Sequence, residues 1–162
     1  MKVCHSIISA LLIALLSGCA GYSPSSNIVG QDRAVLSATM GQPEREYEVD
    51  GFTVLHYPRG PAGSHTYFVY LGSDGRVVKW EQVLTEDRFN TIDSGMTKDQ
   101  VIRVLGTTKI TKDLARQRGY VWHYRYENAS CKSFMIEFAS NDTVRSANYR
   151  TRMGRSCKHV GG

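Results

Sequence analysis

The clearest alternation of apolar and polar positions lies in residues 95–106, Gly-Met-Thr-Lys-Asp-Gln-Val-Ile-Arg-Val-Leu-Gly. Thr97 followed three residues later by Gln100 is a capping box, in which each side chain satisfies a backbone N–H of the first turn. Val101, Val104 and Leu105 then form an i, i+3, i+4 stripe, and Gly106 stands where a helix commonly ends. A helix of two to three turns is too short to persist alone in water, so its stripe must pack on a neighbour. Residues 30–41 repeat the plan, with two glycines at the same separation and Ala34, Val35 and Leu36 between them.

Extended runs follow both helices. After Gly41 they are residues 52–57, 67–71 and 77–84, the last two joined by the turn Ser73-Asp74-Gly75-Arg76. After Gly106 they are residues 120–126, 134–138 and 144–149, with a turn at Ser140-Asn141-Asp142-Thr143. The chain reads as two copies of helix, strand, strand, strand, offset by about 65 residues on the glycine spacing. Residues 85–92 add a short helix capped by Thr85, with Phe89 and Ile92 on one side, so the second copy gains a helix pair. The expected class is α+β: two tandem modules, each a short helix or helix pair packed on a three-stranded antiparallel sheet.

Within these strands Tyr120, Trp122, Tyr124 and Tyr126 share one face, and Val121, His123, Arg125 and Glu127 the other. The rings are either core beneath the helix or a solvent-facing recognition strip, which makes Trp122, Tyr124 and Tyr126 candidate partner-binding residues. Residues 67–71 are apolar on both faces, which implies burial against the other copy or a partner. Residues 58–65, rich in proline and glycine, form a longer loop.

The N-terminus changes the picture from a bare fold to an exported one. Lys2 precedes an apolar run at residues 7–16, shorter than the roughly 20 residues of a membrane span. Leu16-Ser17-Gly18-Cys19 follows directly and resembles a bacterial lipobox, which implies cleavage before Cys19 and its acylation. The alternative is an ordinary secretory signal cut near Ala20. Ala20, where an aspartate commonly retains such proteins at the inner membrane, points to the outer membrane. The expected organisation is a signal peptide at 1–18, an acylated tether at 19–29, a first, degenerate module at 30–84, and a second at 85–162 with a basic tail.

Removal of Cys4 and acylation of Cys19 leave Cys131 and Cys157. In an oxidising periplasm the pair reads most simply as a disulfide; a redox or metal pair lacks a close CxxC spacing or a His-Cys cluster. Charge is split between the halves. Residues 19–92 carry six basic and nine acidic residues, whereas residues 93–162 carry thirteen and six. The tail, with Arg150, Arg152, Arg155 and Lys158, is the densest part, either a solvated surface or a patch for anionic lipid or an acidic partner; Arg150 and Arg152 join the candidate partner-binding residues. Export makes nucleic acid an improbable partner.

No GxSxG, HExxH, P-loop or dinucleotide-binding glycine pattern occurs, and the histidines have no helical metal spacing. The reading is of a protein that is not an enzyme and needs neither cofactor nor metal. The short helix at 85–92, the Gly-Met-Thr-x-x-Gln-Val-x-x-x-Leu-Gly motif, the aromatic strand ending Tyr-Arg-Tyr and the Phe-rich strand with its polar turn together resemble the BamE (SmpA/OmlA) lipoprotein family. Thr108 stands where that family commonly has proline, although Pro43 follows Gly41 in the first copy. The resemblance implies an outer-membrane, periplasm-facing, non-enzymatic scaffold in β-barrel assembly, with the barrel-assembly machinery as partner. The tandem plan is also similar to the β-lactamase inhibitor protein family, which implies the alternative of a binder or inhibitor of a periplasmic enzyme.

Overall fold

Eight strands in two antiparallel sheets carry the chain, in a computed structural model that describes residues 22–151 except 117 and 129. The first sheet runs β1 (Arg45–Val49), β2 (Phe52–Arg59), β3 (His65–Leu71), β4 (Val77–Gln82), in that spatial order. The second runs β5 (Thr111–Leu114), β6 (Gly119–Arg125), β7 (Lys132–Ala139), β8 (Val144–Thr151). Three short α-helices complete it: α1 (Arg33–Met40), α2 (Glu86–Phe89) and α3 (Lys98–Leu105).

The architecture corrects the α+β expectation: the protein is mostly β, and both sheets have four strands rather than three. The strands missed are the edge strands β1 and β5. Arg-Glu-Tyr-Glu-Val and Thr-Lys-Asp-Leu offer too few apolar side chains to show a period of two, because an edge strand is held by its backbone ladder and keeps charges outward. Their pairing is complete nonetheless, from Arg45 opposite His56 to Val49 opposite Phe52, and from Thr111 opposite Trp122 to Leu114 opposite Gly119.

The two sheets follow one register. Tyr57 faces Tyr67 and His56 faces Phe68 in the first; Tyr124 faces Phe134 and His123 faces Met135 in the second, a displacement of 67 positions on each strand (57 to 124, 67 to 134). Both ladders slip at the same place, between Tyr70 and Leu71 and between Glu137 and Phe138. Gly30 N–H donates to the Val77 carbonyl at 2.7 Å and Val77 N–H to Gln31 at 2.9 Å; Gly95 N–H donates to Val144 and Val144 N–H to Met96, both at 2.8 Å.

Layering follows from which faces are apolar. α1 and the 3-10 turn Ser26–Ile28 cover one face of the first sheet, where Ile28, Leu36 and Met40 pack with Leu55, Tyr57, Tyr67, Val69 and Leu71. From Tyr22 onward the segment expected as a tether therefore lies on the sheet, with Ile28 buried. The opposite face, through Val54 and Phe68, shares one core with α2, α3 and the aromatic face of the second sheet. The order of layers is helix, sheet, helix pair, sheet. Lys112, Arg125, Asn148 and Arg150 lie exposed on the far side of the second sheet.

Candidate functional site

The helix pair between the sheets is the part that touches both halves. α3 forms for the reasons its sequence states: Gln100 N–H donates to Thr97 Oγ1 at 3.2 Å, Thr97 N–H donates to Gln100 Oε1 at 2.7 Å, and Gly106 closes it at φ +76°. Val101 and Leu105 are fully buried, but so is nearly all of Ile102, off the expected stripe. A helix held between two sheets buries more of its circumference than one lying on a single sheet.

Its C-terminal end is pressed onto the first sheet. A Cβ on Gly106 would come within 3.1 Å of Thr66 Cγ2 and 3.4 Å of Phe68. Beneath it His56 stacks on Phe68 at 3.9 Å between centroids and receives Tyr47 edge-on at 4.8 Å. Among the described residues neither ring nitrogen of His56 nor the Thr66 hydroxyl has a hydrogen-bond partner. Burial, with the positive charge of Arg45 as a smaller cause, pushes His56 down to about 4, so it sits there as the neutral ring.

Beside this core the halves are laced by polar contacts. The Arg88 guanidinium meets Glu81 at 2.7 Å and donates to the Val104 carbonyl at 3.0 Å, and the Tyr70 hydroxyl donates to Glu81 at 2.5 Å. Burial opposes the charge on Glu81, yet the Tyr70 and Arg88 hydrogen bonds together outweigh it and hold the carboxyl below its usual range. The Tyr47 hydroxyl donates to the Arg103 carbonyl at 3.2 Å, with the Arg103 guanidinium 5.1 Å over the Tyr47 ring. Beside these contacts a cleft of about 350 Å³ opens, lined by Tyr47, Val49, Phe52, Tyr70, Lys79 and Arg103, with Asp50 and the Arg88–Glu81 pair also at its wall. Lys79 lies 4.3 Å over Tyr70. Partly exposed rings beneath cations suit a partner with apolar and acidic side chains.

The expected partner residues fall elsewhere. Trp122, Tyr124 and Tyr126 are only 6%, 1% and 4% exposed, so the aromatic strip is core under α2 and α3, not a surface. The Tyr126 hydroxyl donates to Glu86 at 2.9 Å and that of Tyr124 to the Gly106 carbonyl at 2.8 Å. Arg150 is exposed near the end of β8. Cys131 sits before β7 at φ +53°; Cys19, Arg152 and Cys157, like residues 1–18, lie outside the described residues. Sequence reasoning missed Tyr47, Arg88 and Arg103, because a strand too polar to recognise supplies the first and contacts between halves give the others their place. Among the described residues no three His, Cys, Asp or Glu side chains come together as a metal site, and no helix is long and apolar enough to cross a membrane.

Residues 81–148, which take in α2, α3 and most of the second sheet, match the family model described as the outer membrane protein assembly factor BamE domain. No curated protein matches the chain. Among solved structures, the chain is similar to an extracellular protein containing a SCP domain from Bacillus anthracis, at 12% identity and a TM-score of 0.33 over 83% of this chain and 47% of that one. It thus spans about half the length of that protein. A DUF4309 family protein from Bacillus subtilis is matched at 14% identity and a TM-score of 0.30, over 82% of this chain and 88% of that one.

Proposed function

We propose that this protein is an outer-membrane lipoprotein acting as a non-enzymatic scaffold in the assembly of outer-membrane β-barrel proteins, held by acylated Cys19 and facing the periplasm. The observation that carries the proposal is the match of residues 81–148 to the BamE domain. In this reading residues 30–84 are a first, degenerate module of the same plan, which the common register and the paired Gly30–Val77 and Gly95–Val144 contacts support. Cys131 and Cys157 are read as a disulfide that ties the basic tail to the start of β7. With the β6 rings in the core, the partner surface moves to the cleft between the halves, where Phe52, Lys79 and Arg103 offer apolar and cationic contacts.

Crosslinked pull-down from detergent-solubilised outer membranes, comparing the native protein with Cys19→Ser, tests the proposal. Barrel-assembly subunits are expected with the native protein and in reduced amount with the variant. A native pull-down in which no such subunit rises above an untagged control sinks the scaffold reading.

A further inference from the structure

We infer that the far side of the second sheet holds a second seat built like the one beneath Gly106, and that the chain's own segment 152–162 fills it as a strap. The inference rests on the Cys131–Cys157 disulfide proposed above, and it adds a path for the chain beyond that bond. Residues 152–162 lie outside the described residues.

The repeat supplies the seat. The displacement of 67 positions carries His56 to His123, Thr66 to Ser133 and Phe68 to Met135. In the first sheet these residues are at most 2% exposed and lie beneath Gly106 at the end of α3. In the second sheet their counterparts alternate with Tyr124, Phe134 and Ile136, which face α2 and α3, so they lie on the far side. Ser133 is nonetheless only 1% exposed, and His123 and Met135 are half-buried.

One difference bears on the occupant. Among the described residues His56 and the Thr66 hydroxyl have no hydrogen-bond partner under α3. His123 Nε2, by contrast, lies 2.6 Å from Ser133 Oγ, which donates in turn to the Arg150 carbonyl at 3.3 Å. Polar groups already paired within the sheet suit a thin segment with water at its flanks rather than a dry helix pair.

Chain length points to the segment. Thr151 stands opposite Lys132, next to Cys131. Six Cα steps from Thr151 to Cys157 can span about 20 Å, far more than the bond requires, so a bonded chain turns back at the end of the sheet. The near side there is filled: Phe89 stacks on Phe134 at 4.6 Å, and Tyr149 meets the same ring at 5.1 Å. On the far side Arg125, Asn148 and Arg150 stand exposed. Along β7, Ser133 and Met135 lie about 7 and 13 Å from Cys131 at the rise of a strand, and Val160, three steps beyond Cys157, reaches about 11 Å. The bond keeps the two backbones about 5.5 Å apart. Val160 is thereby brought over Ser133, Met135 and His123. Gly161 and Gly162 follow it, without side chains to prevent the close approach that Gly106 makes on the first sheet. A strap here closes this end of the sheet to other partners and leaves the cleft between the halves as the open surface.

The test places a photo-crosslinking amino acid at Val160 in the full chain. Peptide mass spectrometry without reduction first reports whether Cys131 is bonded to Cys157. In the bonded chain irradiation is expected to give about fivefold more adduct on His123, Ser133 and Met135 than on the hairpin tips at 73–75 and 140–142. As a second measurement, deletion of residues 152–162 together with Cys131→Ser is expected to raise hydroxyl-radical labelling of His123 and Met135 about threefold, with the buried Met40 as the reference that the fold is kept. Adducts confined to the tips or to a second copy, or labelling that does not rise in the folded deletion variant, overturn the strap and leave the disulfide standing. A chain without the Cys131–Cys157 bond overturns both.

Discussion

The Tyr124 hydroxyl donates to the Gly106 carbonyl at 2.8 Å inside the protein, joining the C-terminal end of β6 to the end of α3. The tyrosine is fully enclosed, and burial alone pushes its phenol far above the ordinary range, so it is a neutral donor at any physiological pH. Tyr124→Phe keeps the ring and leaves the Gly106 carbonyl without that donor. A loss of about 1–2 kcal/mol is expected, read by denaturant unfolding with unchanged slope. An unchanged midpoint would show that the carbonyl finds another donor.

Gly106 itself carries two separate constraints. Its φ of +76° is a left-handed conformation that a residue with a side chain adopts at a cost, and the added Cβ meets Thr66 and Phe68 of the other half. Gly106→Ala is expected to destabilise by about 2–3 kcal/mol, more than either strain or crowding alone. Pairing it with Thr66→Ala separates the two: partial recovery in the double variant assigns the remainder to backbone strain. If Gly106→Ala melts with the native protein, the tight approach of the end of α3 to the first sheet is wrong.

How much of this was legible follows from what a local pattern can encode. Both caps of α3 and the fully buried Val101 and Leu105 were readable, because capping and the helical period are local. Ile102 was not, since only the first sheet, far back in the sequence, explains its burial. The β6 alternation fixed that Trp122 and Tyr124 share a face, yet a period of two does not say what covers it. Residues 67–71, apolar on both sides, do correspond to a strand covered on both faces. Tyr47 and Arg103 escaped because each is an ordinary polar position until the halves meet.

His56 makes the junction sensitive to acid. Its pKa in the fold is pushed down to about 4, against about 6.5 when unfolded, so the unfolded chain takes up the proton first as pH falls. The stabilising contribution of the neutral ring is complete above about 6.5 and declines steadily to about 4, below which both states are protonated. The expected loss over that window is about 3 kcal/mol. Glu46 and Glu81, whose pKa values are lowered by their arginine partners and, for Glu81, by Tyr70 as well, lose stability in the same direction as pH falls towards the carboxylate range. The comparison that isolates His56 is therefore with His56→Leu, close in size and uncharged. Its stability should stay nearly level between pH 6.5 and 5, and a slope equal to the native one would remove His56 as the cause.

The cleft can be tested apart from stability, because Lys79 and Arg103 are exposed and lie over the Tyr70 and Tyr47 rings that line it. If these cations bind an acidic partner, reversing them adds repulsion where attraction was. Lys79→Glu with Arg103→Glu is expected to lower recovery of barrel-assembly subunits at least tenfold. The melting temperature should move by no more than a few degrees, since exposed charges contribute little to folding. Raising salt should weaken the native interaction in the same direction, and Phe52→Ala should weaken it without altering the salt dependence. That difference tells a partner seated on the rings and cations from one attracted only by the basic half of the chain. Retention of the subunits by the double charge reversal, with salt dependence intact, would move the contact to another surface of the protein.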